Sequence, residues 1–327
     1  MERQNQTYVV GFPRIGEKRE LKRALEGYWA GRSGFGAVAE VSRELRRRHW
    51  LYQQEASIDF ISSNDFSLYD NMLDTAVMLG AVPDRFRDID NEEERYFAMA
   101  RGTQKAHAME MTKWFNTNYH FIVPELAGDM TFSLNTQKVV NEYKEAKALG
   151  IKTKINVIGP ITFLSLSWRV DGRGDGLDLL PELLPHYVSL LDEIARLDGE
   201  VFVQFDEPVL VKDPDGRTLD LLRSSYDQLG HARTNPNLVV MTYFDHATEA
   251  VTALKGVPLY GIGLDLVHGP ENMTALAELD GKKLIAGVID GRNVWRNNYE
   301  ETLARLNAIE KYVDPRDIII STSCSLL

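Results

Sequence analysis

Short, almost wholly apolar runs alternate along this chain with longer stretches whose apolar residues recur every three or four positions. The runs lie at 8–12, 58–62, 155–159, 201–205, 238–244, 260–266, 284–289 and 318–320, and Gly, Pro, Asp or Lys bounds them. Runs that are apolar on both faces mark parallel strands covered by helices. The stretches 18–30, 36–55, 136–149, 177–197, 217–229, 246–255, 271–279 and 299–312 each carry one apolar face at helical spacing, and Gly150, Gly230 and Gly281 stand where helices stop. Eight strand–helix repeats predict an α/β fold of the (β/α)8 TIM-barrel type. A doubly wound open sheet is the competing architecture. It would be favoured by a GxGxxG turn after the first strand, but that strand runs into Gly11-Phe-Pro-Arg-Ile-Gly16, with Pro13 inside the loop.

The whole of 1–327 reads as a single barrel domain, with an insertion at about 80–135 between the second and third barrel strands. A ninth apolar run, 120–123, falls in that insertion and is expected to lie outside the main sheet. After the last run only residues 321–327 remain. The eighth strand is therefore expected to lack its helix and to leave apolar surface bare, as in a piece of a longer polypeptide.

Composition narrows the function classes. With 327 residues, 44% hydrophobic and 26% charged, and only 24 Gly and 12 Pro, the chain is neither fibrous nor disordered. The net charge of −11, from 37 basic and 48 acidic residues, argues against nucleic-acid or anionic-membrane partners. The single cysteine, Cys324, excludes an internal disulfide and limits any Cys-based zinc site to one thiolate. No run approaches membrane-spanning length, and residues 1–7 are polar rather than a signal peptide. These features predict a cytoplasmic protein.

Barrel chemistry sits at the carboxyl ends of the strands. The polar residues there are Arg14, Asn64-Asp65, Thr162, Asp206-Glu207, Asp245-His246, Asp265 with His268, Asp290 with Arg292, and Ser323-Cys324. Asp206-Glu207-Pro208 is the most suggestive: paired carboxylates suit acid/base work or the holding of a cationic amino group, while the plainer reading has one of them cap the next segment. His246, His268 and Cys324 lie on three separate loops, so no metal site is expected in this chain. Lys18, Arg19 and Lys22 are expected to share one side of an opening helix. Cations there oppose the helix dipole, which fits a site that receives an anion. Lys113, flanked by aromatics, is a second candidate cation, and Arg46-Arg47-Arg48 reads as a solvated helix face.

Longer blocks carry a resemblance. Gly11-Phe-Pro-Arg-Ile-Gly-Glu-Lys-Arg-Glu-Leu-Lys22, Glu110-Met-Thr-Lys-Trp-Phe-Asn-Thr-Asn-Tyr-His120, Gln204-Phe-Asp-Glu-Pro208, Gly263-Leu-Asp-Leu-Val-His-Gly269, Ala286-Gly-Val-Ile-Asp-Gly-Arg-Asn-Val-Trp295 and Ser323-Cys-Ser-Leu-Leu327 occur in that order. Together they resemble the N-terminal half of cobalamin-independent methionine synthase, along essentially the whole chain. The resemblance implies a methyltransferase of two face-to-face barrels, which makes methionine from homocysteine and 5-methyltetrahydropteroyl-polyglutamate without cobalamin. It assigns the catalytic zinc to the C-terminal barrel and no catalytic residue to this half. It carries binding of the folate's polyglutamate tail onto Arg19, Glu20, Leu21, Lys22 and Lys113. Thr242-Tyr-Phe244 stands where the catalytic barrel has His-x-Cys, and Cys324 stands at the place of its last Cys ligand. This half is accordingly expected to be inactive alone and to partner the C-terminal barrel. The alternative is a stand-alone, non-catalytic folate-binding or regulatory barrel; an acid/base enzyme using Asp206 and Glu207 is a weaker third.

Overall fold

The structure, a computed structural model, describes residues 5–232 and 236–326. Residues 1–4, 233–235 and 327 of the expected domain lie outside the described residues. Eight parallel strands form the central sheet: β1 (Thr7–Tyr8), β2 (Ile61–Ser63), β3 (Thr153–Ile158), β4 (Phe202–Asp206), β5 (Asn237–Met241), β6 (Gly261–Asp265), β7 (Lys283–Ile289) and β8 (Ile318–Thr322). Their order is β1-β8-β7-β6-β5-β4-β3-β2, and a parallel bridge between Tyr8 and Phe60 brings the two edges together. That bridge excludes the open doubly wound sheet: the strands close into a barrel. Gln204 lies opposite Val239 and Asp206 opposite Met241, so the carboxyl ends of β4 and β5 are level.

Helices α1 (Glu20–Trp29) and α2 (Phe35–Glu55) follow β1. Between β2 and β3 the chain makes its longest excursion, through α3 (Asn71–Met78), α4 (Asp84–Arg87), α5 (Glu92–Arg101) and an antiparallel hairpin, Met111–Lys113 with His120–Ile122, before α6 (Gln137–Ala148). Strand Glu125–Leu126 pairs with Trp168–Arg169 rather than with the barrel. Then come α7 (Pro160–Ser165), α8 (Leu180–Ala195), α9 (Gly216–Gly230), α10 (Thr248–Ala253) and α11 (Tyr299–Ile309). The segment after β6 forms a 3-10 helix, Pro270–Glu278, where an α-helix was expected.

The main core joins the strands to the helices around them and includes Ile155, Val203, Phe205, Tyr187 and Tyr226. A separate cluster, including Leu21, Leu25, Val38, Leu45 and Phe66, holds α1 against α2. Burying one such leucine is worth about 1.5–3 kcal/mol. The expected bare face of the eighth strand is not found: Ile318 and Ile319 are buried in the same core as Ile309 and Val313. Half of the exposed large apolar side chains among the described residues, Val294, Trp295, Tyr299, Leu303 and Tyr312, instead lie on α11 and the segments flanking it. No described helix is long and apolar enough to cross a membrane.

Candidate functional site at the barrel mouth

The carboxyl ends of the strands open onto a cleft of about 330 Å³, whose lining includes Arg14, Asp65, Trp114, Asn156, Asp206 and Phe244. In a strand, residues two apart share a face. Lys154 and Asn156 on β3, and Gln204 and Asp206 on β4, therefore project from the same side of the sheet. All four are buried, which obliges them to find partners. The carbonyl of Val10 collects three of their donors: Lys154 Nζ at 3.2 Å, Asn156 Nδ2 at 2.7 Å and Gln204 Nε2 at 3.0 Å. Gln204 accepts from the Tyr8 hydroxyl at 2.7 Å and donates to Asp206 Oδ1 at 2.7 Å. Lys154 also donates to Asn156 Oδ1 at 2.6 Å and lies 4.6 Å from the centre of the Tyr8 ring. Burial pushes the Asp206 carboxyl up to about 7 and brings the Lys154 ammonium down to about 7.

The neighbouring carboxylate does something else. Glu207 faces away from Asp206 and accepts from the N–H groups of Ile161 at 3.1 Å and Thr162 at 2.6 Å, and from the Tyr226 hydroxyl at 2.7 Å. It anchors the first turn of α7 to α9. The Asp206-Glu207 pair thus divides into one group facing the cleft and one structural group, which removes the paired-carboxylate acid/base reading.

Arg14, in the loop after β1, spans the rim. Its Nη1 donates to the carbonyls of Ser67 and Leu68, both at 3.2 Å, and its Nε hydrogen-bonds the Tyr119 hydroxyl. Asp70 caps α3 through Leu73 N–H at 2.8 Å and ties down the hairpin through Ile122 N–H at 3.0 Å.

The residues around Cys324 do not fit a thiolate–zinc site. The Asp265 carboxylate already accepts from the N–H groups of Phe244, Val267 and His268 at 3.1, 2.9 and 2.8 Å, and His268 Nδ1 sits 3.2 Å from its Oδ2. Thr242 Oγ1 donates to the Gly263 carbonyl at 2.9 Å, and burial pushes the Cys324 thiol up to about 12. His246 lies apart from this group, 2.9 Å from Asp245. One thiol held protonated by burial, one hydroxyl, one sequestered carboxylate and a His268 turned onto that carboxylate make a poor zinc donor set.

The expected tail-binding residues lie outside the cleft lining. Helix α1 starts at Glu20, so Lys18 and Arg19 precede it rather than sharing its face with Lys22. Arg19 adopts a left-handed conformation, φ 57°, because its N–H turns back to the Gly16 carbonyl at 3.0 Å. Arg19 and Lys22 are exposed, Lys22 lying 3.8 Å from Glu26. Glu20 is held by Arg48 at 2.7 Å, and that hydrogen bond brings its carboxyl down to about 2. Leu21 is fully buried, so its side chain belongs to the core. Lys113 is exposed on the hairpin. The Arg46-Arg47-Arg48 run is not simply solvated, since Arg46 pairs with Glu145 at 2.7 Å and Arg48 with Glu20.

Tyr8, Lys154, Asn156 and Gln204 were not singled out by sequence reasoning. Their signal is nonetheless present: a polar residue at every second position of an otherwise apolar strand.

A closed parallel barrel with a polar cleft at its strand ends defines the class as a TIM-barrel protein with a concave site at the carboxyl ends of its strands. The particular family follows from comparison. The chain belongs to the family described as cobalamin-independent synthase, N-terminal domain, whose model matches residues 6–314. It is 64% identical over 321 residues to a 5-methyltetrahydropteroyltriglutamate–homocysteine methyltransferase of Desulforamulus reducens, covering 98% of this chain and 42% of that protein. It is 44% identical over 332 residues to a relative of the same name from Arabidopsis thaliana, covering 98% and 43%. The chain therefore spans less than half the length of these curated relatives. In fold it is similar to a B12-independent methionine synthase from Shewanella sp. in complex with selenomethionine (TM-score 0.66, 18% identity, 88% of this chain and 82% of that one). It is similar also to a putative vitamin-B12-independent methionine synthase from Listeria monocytogenes (TM-score 0.69, 11% identity, 99% and 93%).

Proposed function

We propose that this barrel is the N-terminal, folate-tail-holding half of a methyltransferase that moves a methyl group from 5-methyltetrahydropteroyl-polyglutamate to the thiol of homocysteine. In this reading the C-terminal barrel is its partner. The zinc of that half, when bound, supplies the Lewis acid that favours the homocysteine thiolate. This chain's own part is electrostatic. A tail of several γ-linked glutamates presents a row of carboxylates, which Arg19 meets as a fork and Lys22 and Lys113 meet as point charges.

The observation that carries the reading is the Arg14–Tyr119 contact. It ties the loop leading into Arg19 and Lys22 to the hairpin that bears Lys113, which supports a reading in which the two cationic segments serve one ligand. Glu20 supports the site indirectly by fixing the first turn of α1 to Arg48. Each exposed contact contributes about 1 kcal/mol or less. Replacing Arg19, Lys22 and Lys113 together by Ala in the full-length enzyme is expected to weaken the triglutamate folate about tenfold or more and the monoglutamate form less than about twofold. Equal losses for the two forms would refute tail recognition by these residues.

A further inference from the structure

The barrel mouth holds a buried anion without a full set of partners. Asp206 is 8% exposed and lines the cleft. Its Oδ1 accepts from Gln204, and no described residue donates a hydrogen bond to its Oδ2. Asp65, also in the lining, accepts through Oδ2 alone, from Phe12 N–H at 2.8 Å and Ser62 Oγ at 2.5 Å, so its Oδ1 is open as well. The internal cation, Lys154, reaches them through its charge alone, since the hydrogen bonds of its Nζ go to Val10 and Asn156. Buried carboxylates are ordinarily paired. Here both carboxylates line a cavity whose wall also includes the aromatic side chains Trp114, Tyr119, Tyr243 and Phe244, with Arg14, Asp74 and Lys138 further along it.

We propose that this cleft binds a small organic ammonium ion, its N–H groups on Asp206 and Asp65 and its apolar or aromatic body against Trp114, Tyr243 and Phe244. Around Asp206 the lining is largely aromatic, and aromatic faces supply no oxygen ligands to a metal ion. Those faces do attract organic cations, and a volume of about 330 Å³ lies at the small end of ligand cavities. The site is separate from the exposed Arg19, Lys22 and Lys113, and the inference stands whether or not those residues read a folate tail.

The charge of the site depends on pH. The titratable groups around Asp206 are Lys154 on β3, Asp65 after β2, the adjacent Glu207, whose carboxylate points the other way, and the phenols of Tyr8, Tyr226 and Tyr243, which burial keeps neutral. Burial brings the Asp206 carboxyl up and the Lys154 ammonium down, both to about 7. Well above that pH the pair carries a net negative charge. As pH falls it takes up one proton, becoming neutral, and then a second, becoming positive. Affinity for a cation therefore falls as pH drops through about 7.

Calorimetric titration with benzylammonium chloride, set against the neutral isostere benzyl alcohol, tests the proposal. At pH 8 the expected result is one saturable ammonium site, with the alcohol about tenfold or more weaker. The variant Asp206→Asn is expected to bring the ammonium down to the level of the alcohol and leave the alcohol unchanged. On the unsubstituted protein, affinity for the ammonium is expected to fall about tenfold from pH 8 to pH 6 while that of the alcohol stays flat. The pH comparison decides the matter if Asp206→Asn does not fold. No saturable ammonium binding at pH 8, equal affinity for the two ligands, or an affinity indifferent both to Asp206→Asn and to pH would overturn it.

Discussion

The two polar regions of this barrel are built on opposite physical terms. At the mouth, Tyr8, Lys154, Asn156, Gln204 and Asp206 are buried, and all five converge, directly or through Gln204, on the single carbonyl of Val10. On the rim, Arg19, Lys22 and Lys113 stand in solvent, and Lys22 lies 3.8 Å from Glu26 in an exposed i,i+4 pair. A buried polar group that loses its partner keeps its full desolvation penalty, whereas an exposed one takes up water. The mouth is therefore bound into the stability of the fold, and the rim is free to vary with a ligand. Adjacent positions can fall on different sides of this divide. Glu207 is wholly committed to α7 and α9, while Asp206 beside it keeps one oxygen for the cleft.

The largest expected effect tests the committed side. Glu207→Ala strands the N–H groups of Ile161 and Thr162 and the hydroxyl of Tyr226, and is expected to lower stability by about 3–5 kcal/mol in denaturant unfolding. A loss under about 1 kcal/mol would show that Glu207 is no anchor. Gln204→Leu comes next. It removes three hydrogen bonds of a fully buried side chain, with an expected loss of about 2–3 kcal/mol by the same measurement. No loss would mean that the network is ornamental to folding.

A pH profile sharpens the same contrast at a smaller magnitude. Burial raises the Glu207 carboxyl from 4.5 to about 7. The folded state then holds a proton more tightly than the unfolded chain, so this contribution is fully present below about 4.5 and is lost as pH rises through about 7. The stability advantage of the unsubstituted protein over Glu207→Gln is accordingly expected to be larger at pH 5 than at pH 8, by something on the order of 1–3 kcal/mol. An advantage that grows with pH would mean that the three donors around Glu207 outweigh its burial.

The barrel was legible because alternation is a long-range regularity. All eight strands fall within a few residues of the apolar runs, since parallel strands buried on both faces leave no other pattern. What escaped was local. Helix α7, Pro160–Ser165, is six almost uniformly apolar residues directly after a strand and offers no amphipathic period. Helices α3 and α5 lie in the excursion between β2 and β3, where they serve a separate small core with Leu73, Met99 and Ile122. At the site, motif blocks drew attention to residues that stand out as charges on helices. Lys154, beside an apolar run, was passed over as a boundary residue, and Gln204 entered only as the first residue of the Gln204–Pro208 block, not as a site residue. The polar i, i+2 pairs Lys154/Asn156 and Gln204/Asp206 are the readable signature of a polar barrel interior, and they need the strand's period of two rather than a motif to be seen. The left-handed turn at Arg19 was beyond reach, because it depends on Arg19 N–H meeting the carbonyl of Gly16.

The smallest expected effect is the other half of the comparison. Single replacements of Arg19, Lys22 or Lys113 by Ala are expected to shift unfolding free energy by less than about 0.5 kcal/mol. Arg19 makes no side-chain capping hydrogen bond to α1, and the exposed Lys22–Glu26 pair is worth a few tenths of a kcal/mol at most. A near-zero change here matters more than its size. It leaves ligand binding as the property these cations can alter, so a folate-affinity change in the same variants is read without a stability correction. A loss of 1 kcal/mol or more at any of the three would instead place that residue in the fold, and would move the rim onto the same terms as the mouth.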